Sequence, residues 1–189
     1  RIACDEDDIT LSSDVVLPDS IHTIGKNAFC SNYLKNIKLP TSLHTIGKCA
    51  FCSNQLESIE IPHTLQTIGE DAFSCNKLKS ITFSPTLEII NDGVFSSNEL
   101  ESIELPKSLQ TIGKEAFKEN KLTSVIIPEN IQSIHEGAFY DNKLTSIVIP
   151  ENIQSIGNGA FSKNQLSIDK ICISKKVNYN RCVIVDISL

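Results

Sequence analysis

Leu-Glu-Ser-Ile-Glu-Leu-Pro-Lys-Ser-Leu-Gln-Thr-Ile-Gly-Lys-Glu-Ala-Phe-Lys-Glu-Asn-Lys, residues 100–121, is one rendering of a phrase that repeats from about Asp14 to Leu166. Phe29, Phe51, Phe73, Phe95, Phe117, Phe139 and Phe161 recur every 22 residues without a gap. An Asn follows each Phe by three residues, from Asn32 to Asn164, and a Leu follows each Asn by two, from Leu34 to Leu166. A period held this strictly marks stacked repeats, in which no unit buries its apolar side chains alone and each leans on the next.

Inside the unit, Ile59 and Ile61 alternate with Ser58 and Glu60, as Ile103 and Leu105 do with Ser102 and Glu104. That period of two predicts a short strand with one buried face. Pro18, Pro40, Pro62, Pro106, Pro128 and Pro150 close it, since proline brings no N–H to a ladder. A second apolar pair follows, such as Leu43 with Ile46 or Leu109 with Ile112, and then a glycine at 25, 47, 69, 113 and 157. The glycine slot predicts a bend or a positive φ, and Asn91 and His135, which fill it elsewhere, tolerate that region better than most residues. The Ala-Phe step, with Val94 its one exception, is expected to pack the far wall. The Asn ladder is expected to turn inward and satisfy backbone groups of the adjacent turn.

Read as L-x-x-I-x-I-P-x-x-L-x-x-I-G-x-x-A-F over about Leu17 to Leu166, the phrase resembles the leucine-rich repeats, specifically the bacterial surface-antigen type (BspA-like, Treponema-type). The resemblance implies a right-handed parallel-β solenoid of seven 22-residue units, mostly strand with short turns or 3-10 segments. It also implies an exported or cell-surface protein with an adhesion or partner-binding role. The expected division is an N-terminal flank at 1–13 holding the acidic run Asp5 to Asp8, a solenoid at 14–168, and a C-terminal β cap at 169–189. The cap is expected to be hairpin-like, with strands around Ile171 and Ile173 and around Val183, Val185 and Ile187. Two places depart from the phrase: Ser84-Pro85, where the proline comes one residue late in the fourth repeat, and Asp169, where repetition stops.

Composition narrows the function. A net charge of −6 argues against binding a phosphate backbone, which needs a clustered basic surface, so no nucleic-acid partner is expected. No apolar run reaches the roughly 18 residues of a membrane span. The chain opens on Arg1 and has no Met, which reads as a mature product or a piece of a longer protein. Seven Cys leave at least one without an intrachain partner in an oxidising compartment. Cys172 and Cys182 flank the cap turn and are the expected disulfide; Cys30 and Cys52 share a slot in adjacent repeats, but with parallel side-chain vectors. Cys49-Ala50-Phe51-Cys52 has redox spacing, yet it interrupts the Ala-Phe core step and reads as packing. His22 and His44 are ladder neighbours, but zinc needs three or four ligands and the next repeat offers Gln66, so no metal is expected. Nothing resembles a phosphate loop or a nucleophile elbow, and no cofactor is expected.

The outward strand slot runs Lys38, Glu60, Thr82, Glu104, Ile126, Val148. Glu60 and Glu104 stand two rungs apart, roughly 9.6 Å by strand spacing, near the upper end for an inverting glycosidase pair. The neighbouring slot, Lys35, Glu57, Lys79, Glu101, alternates in sign, as charge pairing on a solvated face does. Farther along, Ile126 and Val148 beside Thr123 and Thr145 make an apolar stretch where solvent is expected, which points to a contact surface. β-branched preference for strands, or a cap folded over these residues, would explain them equally. The sequence therefore reads as a non-catalytic module that binds a protein or glycan through Ile126, Val148, Thr123, Thr145 and Glu104. A solenoid carbohydrate-active enzyme and a passive spacer are the alternatives.

Overall fold

The structure, a computed structural model, describes residues 14–167 and the strand at 171–174. Its repeats form a parallel-strand solenoid with no helix among the described residues. One wall is built from β1 (Asp14–Val16), β3 (Asn36–Lys38), β5 (Ser58–Glu60), β7 (Ser80–Thr82), β10 (Ser124–Ile126), β12 (Ser146–Pro150) and β14 (Ile171–Ser174). A second wall holds the two-residue strands β2 (Thr23–Ile24), β4 (Thr45–Ile46), β6 (Thr67–Ile68), β8 (Ile89–Ile90), β9 (Thr111–Ile112), β11 (Ser133–Ile134) and β13 (Ser155–Ile156). Pairing places each residue opposite its equivalent 22 positions on, as Val125 meets Ile147 and Ile46 meets Ile68.

The walls meet through a turn that the proline slot sets. The carbonyl of Pro40 accepts from Leu43 N–H, that of Pro62 from Leu65 and that of Pro106 from Leu109, so the strand ends where the turn begins. Just beyond the proline slot, Ser42, Thr64, Thr86, Ser108, Asn130 and Asn152 form a ladder of side-chain donors. Each reaches a backbone carbonyl of the preceding turn, as Ser108 Oγ reaches Leu87 O at 2.7 Å.

The third wall carries the Phe spine. Successive rings from Phe29 to Phe161 stack at 5.2 to 5.8 Å between centroids, and Phe51 through Phe139 are fully buried. The backbone here is turned rather than extended, yet it still bonds from rung to rung. The N–H of Phe51 donates to Ala72 O, with Cys49 donating to Glu70 O and Ser53 to Ser74 O on either side. That spacing of donors requires left-handed backbone two residues before and two residues after each Phe. Asn27, Cys49, Asp71 and Glu115, with Gly93, Gly137 and Gly159, take positive φ before the ring; Ser31 through Lys163 do so after it.

The positive φ expected at the 25/47/69 glycine slot is thus found elsewhere. Gly47, Gly69, Gly113 and Gly157 answer a different constraint, close approach of one turn to the one before: a Cβ on Gly69 would stand 2.4 Å from Lys48 N, and one on Gly157 2.4 Å from Glu136 N, whereas Gly25, at the start of the array, has open space there. Where Asn91 replaces the glycine, its Nδ2 donates to Ile68 O, the acceptor equivalent to the carbonyl Gly69 N–H reaches on Ile46.

Inside the Phe wall lies the Asn ladder, inward as expected. Asn120 Oδ1 accepts from Leu100 N–H at 3.1 Å, and Nδ2 donates to Phe95 O at 3.0 Å and Phe117 O at 3.1 Å. The same bonds recur at Asn54, Asn76, Asn98, Asn142 and Asn164. Each amide ties its own repeat to the one before.

The fourth repeat interrupts the walls. Ser84 occupies the proline slot and bonds Thr86, while Phe83 replaces the usual Leu or Ile and sets its ring edge-on to Phe95 at 5.7 Å. The strand expected around Ile103 and Leu105 does not form: its inward residues are wholly or partly buried, but residues 102–106 pair with neither neighbour. The bulk of Phe83 and the late proline on the adjacent rung take that rung out of the common path. The first wall falls into β1-β3, β5-β7 and β10-β12-β14, and the second into β2-β4-β6 and β8-β9-β11-β13.

At the C-terminal end, β14 joins β12 in parallel, with Ile147 opposite Ile171, an offset of 24 rather than 22 residues. The flank at 1–13, the second cap strand around 183–187 and the Cys172–Cys182 disulfide lie outside what is described.

Two substitutions test this packing. Phe117→Ala should cost about 3–5 kcal/mol by opening a cavity in the spine, read as a fall in urea midpoint; a cost below about 1 kcal/mol would contradict the register. Asn120→Asp keeps the acceptor for Leu100 but aims a carboxylate at the Phe95 and Phe117 carbonyls. Burial raises such a carboxyl above its unfolded value of about 3.9, so the variant should match wild type best below that pH and lose stability as pH rises. Equal stability loss at pH 3 and pH 7 would reject the amide's role as donor.

Candidate binding face

The first wall presents its outward column to solvent. Ile126 is 72% exposed and Val148 36%, the difference following from position: Val148 has β10 on one side and β14 on the other. β14 extends the stack beside Val148 and leaves it exposed. Thr123, Thr145 and Glu104 are also exposed, and Thr145 N–H donates to Thr123 O at 3.0 Å, holding the two threonines in register. The five residues singled out in the sequence thus share one open surface, although Glu104 stands on the rung that forms no strand.

Charges pair from rung to rung beside the column and on the turn after the second wall. Glu57 meets Lys79 at 3.6 Å, Glu99 meets Lys121 at 2.9 Å, and Lys114 meets Glu136 at 3.4 Å. The hydrogen bond from Lys121 holds the Glu99 carboxyl below its ordinary range. All are solvated pairs and contribute little to stability. Of the expected alternating series only Glu57–Lys79 closes into a pair, leaving Lys35 and Glu101 without an ion-pair partner among the described residues.

One feature of the face has no counterpart in the sequence reading. A groove of about 480 Å³ lies over β3, β5 and β7, with Lys38, Glu60 and Thr82 on its floor and Thr41, His63 and Pro85 along the turn edge. It coincides with the place where β3 and β5 do not pair. The only sequence signal for it is the late proline and Phe83.

The remaining candidates separate. His22 and His44 do stack, 5.7 Å between ring centroids, each with Nδ1 bonded to a nearby backbone carbonyl, of Ser20 and Ser42. No group of three potential metal ligands occurs among the described residues. Cys30, Cys49, Cys52 and Cys75 are free thiols on the Phe wall. Burial pushes the Cys49 thiol up, and the Asp71 carboxylate adds to it, opposite to what a redox nucleophile requires. Tyr33, 78% exposed, stands outside the repeat pattern and was not singled out in the sequence.

A parallel solenoid whose rungs repeat a short strand, a proline turn and an Ala-Phe corner is a leucine-rich repeat of bacterial type. The chain belongs to the BspA-type leucine-rich repeat family, whose profile matches residues 8–120 and 88–182 in six copies. No curated protein matches it. Among solved structures it is similar to the T. pallidum leucine-rich repeat protein, at 29% identity and a TM-score of 0.66, covering 82% of this chain and 78% of that one. It is similar also to a leucine-rich repeat protein of Bacteroides ovatus (27%, TM-score 0.59, 83% of this chain and 55% of that one). A third is the pneumococcal vaccine antigen PcpA (26%, TM-score 0.62, 84% and 50%). The chain spans about half the length of the latter two.

Cys49 gives a direct check on the thiols. Iodoacetamide at pH 7 should modify Cys49 in the folded protein more slowly than in the urea-unfolded chain, with the rate rising as pH is raised, mapped by mass spectrometry. Faster modification in the folded state would restore the redox reading.

Proposed function

We propose that the chain is a non-catalytic binding module of a secreted or cell-surface protein that engages a protein or glycan through its first wall. The carrying observation is the exposed pair Ile126 and Val148 on successive in-register rungs. Rigid strands hold these side chains outward at the cost of solvating apolar surface, which a partner would remove from water. Thr123 and Thr145 beside them allow close approach, and Glu104 borders them with charge. Family membership supports the reading, and the similarity to PcpA, a vaccine antigen, supports surface placement.

Glu60 and Glu104 serve an enzyme poorly. They stand exposed on an open face with Thr82 between them, and catalysis by a carboxylate pair needs an enclosed, desolvated site. A passive spacer would have no use for an apolar stretch on a charged wall.

Ile126→Glu combined with Val148→Glu should leave urea unfolding within about 0.5 kcal/mol of wild type, because both side chains point away from the core. The same variant should abolish capture of ligands that the wild-type domain retains on a column. Lys26→Glu, on an exposed turn after the second wall, should capture as wild type does. Undiminished capture by the double variant would place binding elsewhere.

A further inference from the structure

The outward column changes chemistry in one direction. It begins with a base, Lys38, passes through Glu60, Thr82 and Glu104, and ends in Ile126 and Val148. Elsewhere on the described surface, five pairs of opposite charges one rung apart meet: Lys48 with Glu70, Glu57 with Lys79, Glu99 with Lys121, Lys114 with Glu136, Asp141 with Lys163. Lys38 and Glu60 are also opposite and one rung apart, yet they form no ion pair, and Glu104 has none either. Between them runs the seam that separates β3 from β5, over which the 480 Å³ groove opens. Three exposed charges of both signs, none of them in an ion pair, thus share the outward column with two exposed apolar side chains.

We infer that this column reads an extended polypeptide segment laid along the solenoid axis, with an acidic side chain at Lys38, a basic one at Glu60 and Glu104, and apolar ones at Ile126 and Val148. A neutral sugar leaves all three charges uncompensated, and the column offers no aromatic ring on which a pyranose could stack. A polyanion meets Glu60 and Glu104. Only a polypeptide supplies acid, base and hydrocarbon in a set order, and complementary charges at an interface act mainly to fix order and register. From Lys38 to Val148 is five rungs, about 24 Å at strand spacing, which about seven extended residues span. The inference rests on the binding role proposed above and specifies its partner.

The probe is a labelled synthetic peptide carrying an Asp pair, a Lys pair and an Ile-Val pair separated by serines, against a twin in which the Asp and Lys pairs are exchanged. Fluorescence anisotropy with the wild-type domain should favour the first by about tenfold, and a variant combining Lys38→Glu and Glu60→Lys should favour the twin. Circular dichroism verifies that the variant is folded. Equal affinity for the two peptides, no binding of either, or a preference that survives the charge exchange would overturn the inference. If any of these occurs while Ile126→Glu with Val148→Glu still abolishes capture, the binding role stands and only the polypeptide reading fails.

Discussion

Every repeat depends on one buried amide. An Asn three residues after the Phe accepts the N–H of a Leu in the preceding repeat and donates to Phe carbonyls of both repeats. Groups so placed are far from water, and leaving a buried donor or acceptor unsatisfied costs about 1–3 kcal/mol. The amide is satisfied only if the next rung arrives at a fixed distance and angle, and this accounts for a 22-residue period that tolerates no insertion across seven Phe. The Phe stack, the proline turns and the hydroxyl ladder at the turn edge fall into line with that spacing. Where the Asn series ends, at Asn164, the spacing relaxes and β14 joins at an offset of 24 residues.

Because the interior is committed to uniform ladders, individuality is confined to outward slots. The strand column can vary from Lys38 to Val148 without disturbing a rung, since strands and turns hold the backbone regardless of what projects from it. A surface of this kind presents side chains on a ruled grid, one per rung, and its specificity lies in their order. It lacks the enclosure that a carboxylate pair needs for catalysis, and the Cys49 thiol is pushed away from redox reactivity by burial.

Period, core and wall composition were legible in the sequence because they depend on residue types that recur. The outward direction of Ile126 and Val148 was legible for the same reason, through strand alternation. Other features are matters of backbone. The glycine slot suggested positive φ, whereas it serves close approach between turns; the left-handed positions carry Asn27, Asp71, Gly93, Gly137 and Gly159 in one slot, a pattern that could have located them. The slot after the Phe gives no such sign, being filled by Ser31, Cys75, Glu119 and Lys163. The strand lost at 102–106 was hidden because its own residues are regular and the cause lies one rung away, in Phe83 and Pro85. The groove and the unpaired Lys38 and Glu60 were hidden likewise, since slot adjacency implies pairing unless the sheet opens.

Both strand walls are interrupted near the fourth repeat, but the third is spared, and there Phe73, Phe95 and Phe117 remain stacked and Asn76, Asn98 and Asn120 stay bonded. The breaks in the two strand walls are staggered: the second wall opens between β6 and β8, where β5 and β7 remain paired, and the first wall opens after β7, where β8 and β9 remain paired. The Phe and Asn ladders are thus the side along which the array runs uninterrupted, and a ligand that spans the unpaired rung meets side chains whose spacing those ladders set.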